Sequence, residues 1–207
     1  MMQYIREPRP LYVTCIVGIL LLCTTLSAAA QFEADMIDSV HQDGTKRESK
    51  LYVKGYRYRT EQVENEQEIV VLVDQEEGLT RVLFTLDKTY TEMPNDDTQS
   101  LINDPFQSAR YMEVLGGKQK IGSEEIAGYA CDIYLVKYDT MELAKMWVAG
   151  KLEFPLKIVM LGKFGRTMLL KNIEESSFKD DLFTLPLGYL RMYDPEDLKP
   201  EPPEWVA

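Results

Sequence analysis

Histidine and cysteine are scarce in this 207-residue chain, which has 1 His and 3 Cys. A His-activated nucleophile would depend on His41 alone, and a zinc site needs more His and Cys ligands than His41 and Cys131, the two such residues that follow residue 30. Basic residues are also in deficit, with 23 Lys and Arg against 34 Asp and Glu, for a net charge of -11. Because a polyanion would be repelled, we expect no nucleic-acid partner. No metal and no cofactor are expected.

A long apolar run occurs only near the N-terminus. Arg6 and Arg9 precede an apolar stretch at residues 11–26, and Ala28-Ala29-Ala30 follows. This order predicts a secretory signal peptide, residues 1–30, cleaved after Ala30 to release an exported, periplasmic protein. The stretch is long for a signal core, so an uncleaved membrane anchor is the alternative. Cleavage would leave Cys131 as the one thiol, without an internal disulfide.

The rest of the chain has the pattern of antiparallel strands. Residues 69–73 are a short apolar run, typical of a central strand, and residues 79–86 and 89–93 flank a turn at Asp87-Lys88. Tyr58 and its neighbours alternate with charges, which predicts a half-buried strand. Asp43-Gly44 predicts a type I′ hairpin turn at residues 41–44.

Two helices are predicted to interrupt this meander. Asp104 can cap a helix that has Pro105 in its first turn and stops at residues 116–117. Asp139 with Glu142 resembles a capping box and predicts a second, shorter helix at residues 140–146. Residues 31–192 then form one domain, and the Pro- and acid-rich residues 193–207 form a flexible tail.

Catalytic patterns are sparse. Cys131 lies within an apolar strand beside Asp132, which favours a buried thiol with a raised pKa over a reactive one. The acidic clusters lack the spacing of a calcium-binding loop and are typical of solvated turns. A carboxylate pair distant in sequence is the one catalytic arrangement left open. We therefore predict that the protein is not an enzyme.

Apolar surface is plentiful, with 10 Met, 12 Tyr and 7 Phe. Several strands are apolar on both faces, as at residues 69–73 and 168–173. One face can pack on helices, and the other needs a second cover or a ligand. An ordinary core filled from both sides explains the same pattern.

Later motifs resemble a known family. Residues 147–149 (WVA) and 152–157 (LEFPLK) resemble the tryptophan strand, acid and Pro-apolar-Lys strand of LolA/LolB-like periplasmic lipoprotein carriers. Residues 172–173 and 182–189 (LFTLPLGY) are similar to the closing segment of that superfamily. Residues 51–59 and 120–131 look like an uncharacterised exported branch of it, so the resemblance covers roughly residues 32–190.

The resemblance implies a mainly β fold of the α+β kind. This fold is a curved, antiparallel, incomplete β-barrel whose concave face is covered by a few helices, with a hydrophobic cavity between them. It also implies a carrier or binding protein for a lipid, an acyl chain or a lipoprotein. The candidate lining residues are aromatic and Met positions: Tyr56, Tyr58, Phe84, Met93, Tyr134, Trp147, Met160 and Met168.

The alternative is a non-catalytic envelope protein with a filled core, which binds a protein partner through its tail or its strand edges. Deleting residues 194–207 separates the two hypotheses. A carrier keeps its ligand after the deletion, whereas an interaction protein loses its partner.

Overall fold

Strands make up most of the part of the chain that a computed structural model describes, residues 30–162 and 165–192. The first six are β1 (Gln31–Val40), β2 (Lys46–Lys54), β3 (Arg57–Glu64), β4 (Gln67–Asp74), β5 (Leu79–Phe84) and β6 (Thr89–Pro94). Helices α1 (Thr98–Asn103) and α2 (Pro105–Gly116) follow. The remaining elements are β7 (Lys118–Ile126), β8 (Tyr129–Tyr138), β9 (Met141–Ala149), β10 (Phe154–Met160), β11 (Arg166–Glu175), a 3-10 helix (Asp180–Phe183) and β12 (Leu190–Arg191).

All twelve strands belong to one curved sheet in the order β12-β6-β5-β4-β3-β2-β1-β11-β10-β9-β8-β7. Strand β1 pairs with both β2 and β11, so two antiparallel meanders join at the centre of the sheet. Within the described residues, β12 is the one strand that pairs in parallel, with β6. Among the described strands the two ends of the sheet do not pair, so the barrel stays open. The predicted curved, incomplete antiparallel barrel is confirmed.

The main core lies on the concave face, where α2 packs against β8, β9 and β10. Phe106 of α2 contacts two aromatic side chains of the sheet, with ring centroids 5.4 Å from Tyr58 and 4.9 Å from Phe154. Phe32 of β1 completes this buried cluster through Phe154. One half of the concave face is thereby filled by protein side chains.

Helix α2 begins and ends as predicted. The Asp104 side chain accepts hydrogen bonds from the backbone N–H groups of Phe106 and Gln107, and Pro105 occupies the first turn. The helix stops at Gly117, which has a φ of 78°. Just before it, Gly116 lies against the backbone of Lys137 at the end of β8.

Gly116→Ala is therefore expected to destabilise the protein. A Cβ at this position would lie 1.9 Å from the Lys137 carbonyl oxygen, so the helix end would have to move away from β8. We expect a loss of about 1–3 kcal/mol in the free energy of unfolding, measured by urea denaturation. Gly150→Ala is the matched control because nothing lies within 4 Å of its added Cβ. Equal stability of the two variants would contradict this packing.

Two local predictions are wrong. Residues 140–146 are not helical, because Asp139 adopts a φ of 54° in a tight turn and the chain then continues as β9. Ala144 and Met146 are buried in strand alternation. The hairpin at residues 41–44 exists, but Gly44 has a positive φ and Asp43 does not, so the turn is not type I′.

The last described segment covers part of the convex face. Leu185 and Tyr189 pack on the buried residues Val70, Leu72 and Leu83 of β4 and β5. Asp180 of the 3-10 helix forms ion pairs with Lys54 and Arg57. The predicted signal peptide and the predicted tail, residues 193–207, lie outside the described residues, apart from Ala30.

Candidate functional site

A cavity of about 420 Å³ lies between the concave face of β1–β6 and the two helices. It is next to the filled half of the barrel and shares Phe106 with that core. The strand residues that line it come from β1–β6 and, at Arg166, from β11, and α1 and the first turn of α2 cover it.

The two walls of this cavity differ in polarity. The wall from β4, β5 and β6 is almost entirely apolar and consists of Ile69, Val71, Val82, Phe84 and Met93, with Thr80 at its inner end. Cross-strand pairing places Ile69 opposite Phe84 and Val71 opposite Val82, so their side chains form a continuous surface. The wall from β1, β2 and β3 is polar apart from Met36 and consists of Asp38, Arg47, Ser49, Thr60, Gln62 and Glu64.

The long axis of the cavity follows the strands. Thr60, Gln62 and Glu64 are successive inward-facing residues of β3, and the distance from the first to the last is about 13 Å at the usual rise per residue. The buried Tyr58 precedes Thr60 and marks the inner end, where it contacts Phe106. Glu64 marks the outer end, beside the β3–β4 turn. We call this outer end, with Arg47 and Glu64, the mouth.

Helix α1 covers the cavity and is attached at both ends. Ser100 and Thr80 of β5 are both buried, and their hydroxyl oxygens are 3.1 Å apart. At the other end of the helix, the Arg166 guanidinium of β11 donates to the carbonyl oxygens of Ile102 and Asn103 at 2.8 and 3.3 Å. The helix therefore connects β5 with β11 across the concave face.

Arg166 also forms a buried ion pair with Asp38. Two guanidinium nitrogens of Arg166 contact the two carboxylate oxygens of Asp38 at 2.5 and 2.6 Å, a bidentate geometry. Asp38 is 3% exposed. Because Arg166 holds both this carboxylate and the carbonyl groups of α1, one side chain joins the sheet to the cover of the cavity.

A second buried polar contact lies at the start of α2. The Tyr58 hydroxyl donates to the Asp104 carboxylate at 2.6 Å, and the other oxygen of that carboxylate caps the helix. Burial raises the pKa of Asp104, although the hydrogen bonds from Tyr58 and the backbone oppose this effect. Burial and the neighbouring carboxylate raise the pKa of Tyr58 well above its ordinary value, so its hydroxyl stays a donor at neutral pH.

Asp104→Ala is expected to cost about 2–4 kcal/mol, because it removes the helix cap and leaves the Tyr58 hydroxyl without its partner. Asp104→Asn keeps an acceptor for the cap and serves as the comparison. Since the folded state raises this pKa above the ordinary 3.8, the contribution of Asp104 to stability falls as the pH rises above that value. The stability of Asp104→Asn relative to wild type should therefore rise with pH in urea titrations, and a constant difference would contradict this.

The structure places two of the eight predicted lining residues, Phe84 and Met93, on the apolar wall of the cavity. Tyr58 lies at the inner end, packed in the core rather than along the wall. Tyr56 is in the turn between β2 and β3 and is 62% exposed, because β3 begins at Arg57. Whether any of these side chains contacts a ligand stays a prediction.

The other four predicted residues lie in the opposite half of the sheet. Met160 and Met168 are buried in the main core on β10 and β11. Tyr134 of β8 is half-buried beneath the ammonium group of Lys118. Trp147 of β9 donates from Nε1 to Glu124 at 2.6 Å, and its ring lies beneath the Lys157 ammonium. None of the four lines the cavity.

The prediction missed the polar wall of the cavity. Asp38 is an inward-facing residue of β1, where the buried residues Phe32, Ala34 and Met36 alternate with half-buried ones. A charge that continues an apolar alternation is a readable signal for a buried, paired side chain. Arg47 carries no such signal, because β2 becomes apolar only after residue 50.

The side chains that could bind a metal ion are not clustered in the described part of the chain. Within residues 30–162 and 165–192, no group of three or more His, Cys, Asp and Glu side chains could hold a metal ion. Cys131 is buried, and burial raises the pKa of its thiol, as predicted. His41 lies in an exposed turn, with Nε2 at 2.7 Å from the Thr167 hydroxyl.

No helix in the described part of the chain has the length and hydrophobicity that a membrane span requires.

Comparisons with known proteins give one family and several similar folds. The family model described as Domain of unknown function (DUF4412) matches residues 32–153. The crystal structure of an uncharacterized conserved protein from Thermus thermophilus is similar at a TM-score of 0.54 and 8% identity, over 80% of this chain and 91% of that one. A comparison with curated proteins finds no match.

Two further likenesses have lower TM-scores. The Pseudomonas aeruginosa MucA/MucB complex gives a TM-score of 0.47 and 13% identity, over 76% of this chain and 56% of that one. A putative outer membrane lipoprotein-sorting protein domain from Vibrio parahaemolyticus gives 0.37 and 9%, over 74% and 89%. At these TM-scores and identities the two likenesses concern the fold alone, and nothing about the role of this chain follows from them.

Proposed function

The chain belongs to the family described as Domain of unknown function (DUF4412). From the cavity we propose that the protein is an exported, periplasmic carrier or binding protein for a hydrophobic ligand. The ligand class is a lipid, a free acyl chain or the acyl chain of a lipoprotein. Binding needs no covalent chemistry, so no residue is assigned a catalytic role.

The apolar wall is the observation that carries this proposal. Five apolar side chains of β4, β5 and β6 face a cavity, whereas the equivalent surface of β8–β11 is covered by α2 and the aromatic cluster. The volume of about 420 Å³ falls within the range of small-molecule sites. Transfer of an acyl chain from water contributes about 0.8 kcal/mol per buried methylene, which gives about 6 kcal/mol for eight methylenes before binding costs are subtracted.

Titration with N-phenyl-1-naphthylamine, an uncharged apolar fluorescent probe, tests this proposal. We expect saturable fluorescence enhancement with one probe per chain, reversed by a soluble acyl-chain competitor. Enhancement that does not saturate, or that the competitor does not reverse, would contradict a defined cavity site.

A second candidate function is protein binding, favoured by an exposed apolar patch at the end of α2. Val114 and Leu115 of the helix are exposed there, as are Tyr138 and Met141 at the β8–β9 turn. The contact between Gly116 and the Lys137 backbone brings the helix end to this turn. Exposed apolar groups of this kind mark interaction sites.

Val114→Glu with Met141→Glu should abolish capture of an envelope partner while probe binding is retained, and loss of probe binding alone would count against this function.

A further inference from the structure

Two charged side chains at the mouth of the cavity have no partner among the described residues. Arg47 of β2 and Glu64 of β3 both line the cavity and are exposed, and beyond their backbone pairing in the sheet neither side chain forms a hydrogen bond or an ion pair with another described residue. Neighbouring cations are paired: Lys50 with Asp35, Arg59 with Glu61, and Arg166 with Asp38. The mouth thus presents one positive and one negative group toward the same space.

The strand register explains why the Arg47 side chain has no ion-pair partner. Asp38 lies directly opposite Arg47 in the β1–β2 pairing and would be its natural partner. Both Asp38 oxygens, however, accept from Arg166. Asp43 in the β1–β2 turn also interacts with Arg47, but its pKa is lowered mainly by its hydrogen bonds with Thr45 and only slightly by Arg47. Asp43 does not line the cavity.

We propose that the cavity takes a single-chain zwitterionic amphiphile of the lysophospholipid class, with its phosphate on Arg47 and its ammonium group on Glu64. This inference rests on the proposed function, because the acyl chain occupies the same cavity. A purely anionic head group would pair with Arg47 but would be repelled by Glu64. A purely cationic head group would pair with Glu64 but would be repelled by Arg47. A zwitterion satisfies both groups at once.

The rest of the cavity fits this ligand class. The guanidinium of Arg47 can contact two phosphate oxygens, and the Glu64 carboxylate can form an ion pair with an ammonium group, whether or not that group carries N–H. Ser49 and Gln62 lie one layer further inward and offer hydrogen bonds to a glycerol or ester linkage. Beyond them the apolar wall continues inward from Ile69 and Phe84 to Val71 and Val82, which suits one acyl chain.

Chain-matched amphiphiles test the assignment. Dodecylphosphocholine, dodecanoate and dodecyltrimethylammonium, each below its critical micelle concentration, compete with the neutral naphthylamine probe on the wild-type protein. We expect dodecylphosphocholine to bind most tightly. Arg47→Gln should weaken the binding of dodecylphosphocholine and dodecanoate about tenfold, which is the usual worth of a charge-assisted hydrogen bond. It should not weaken the binding of dodecyltrimethylammonium.

Glu64→Gln should give the complementary pattern. It should weaken the binding of dodecylphosphocholine and dodecyltrimethylammonium about threefold, the usual worth of an exposed ion pair, and should strengthen the binding of dodecanoate because a repulsive charge is removed. Lys46→Gln is the matched control, since it removes one exposed positive charge next to Arg47 from a residue that does not line the cavity. This control should leave all three affinities unchanged.

The outcomes separate the two proposals. If the probe binds but the three head groups compete equally, or if both variants behave like Lys46→Gln, the head-group assignment is overturned and the apolar site stands. If the probe binds but none of the amphiphiles displaces it, the head-group assignment is also overturned. If neither the probe nor any amphiphile binds, the proposed function itself is overturned.

Discussion

Phe84→Asp is expected to lower the affinity for an apolar ligand by about a hundredfold while the protein stays folded. Phe84 is half-buried on the apolar wall, opposite Ile69, so the new carboxylate can stay hydrated when the cavity has no ligand. A bound acyl chain would remove that hydration. The penalty therefore falls on the complex rather than on the fold, and the measurement is probe titration together with a urea denaturation curve.

Leu86→Asp is the control for this variant. Leu86 lies two residues further along the same hairpin, is 78% exposed and does not line the cavity. The two substitutions make the same change of charge within a few ångströms of each other along the chain. Equal probe affinities of Phe84→Asp and Leu86→Asp would show that the apolar wall is not the binding surface.

Arg166→Leu is expected to have the largest effect on stability. It leaves the Asp38 carboxylate buried without its partner, a change that costs about 3–5 kcal/mol in comparable buried pairs. It also removes the hydrogen bonds to the Ile102 and Asn103 carbonyl groups, so α1 loses its attachment to β11. We expect a lower urea midpoint and faster amide hydrogen exchange in α1 than in α2.

A second substitution separates the ion pair from the packing of the arginine stem. Asp38→Asn combined with Arg166→Leu removes the unpaired charge, so the double variant should recover a large part of the lost stability. The hydrogen exchange of α1 should remain fast in the double variant, because its carbonyl groups still lack a donor. A double variant no more stable than Arg166→Leu would contradict the role assigned to the buried carboxylate.

The sequence was informative where local signals agree with the fold. Asp104 followed by Pro105 predicted both the start of α2 and its cap, and the apolar run at residues 69–73 predicted a central strand. The helix predicted after Asp139 is wrong because Asp occurs both at helix caps and in tight turns. Here Asp139 has a positive φ in the turn that joins the paired strands β8 and β9. The short helix α1, which has its N-cap at Asp97, is not predicted from the sequence.

The cavity itself depends on information that local patterns do not contain. Phe84 and Met93 were identified as aromatic and Met positions, but the same criterion also selected Met160 and Met168, which lie in the core. Which apolar face is filled depends on where α2 crosses the sheet. The Asp38–Arg166 pair joins residues 128 positions apart, so only the β1–β11 register reveals it.

Native mass spectrometry of the protein, exported to the periplasm of a bacterial host and purified without detergent, tests the central claim most directly. If the cavity holds a hydrophobic ligand, the spectrum should show discrete adducts of acyl-chain mass that disappear on solvent extraction, and Phe84→Asp should abolish them while Leu86→Asp retains them. A mass without adducts that stays unchanged after incubation with lipid vesicles would contradict the carrier account and favour a protein-binding role for the α2 patch.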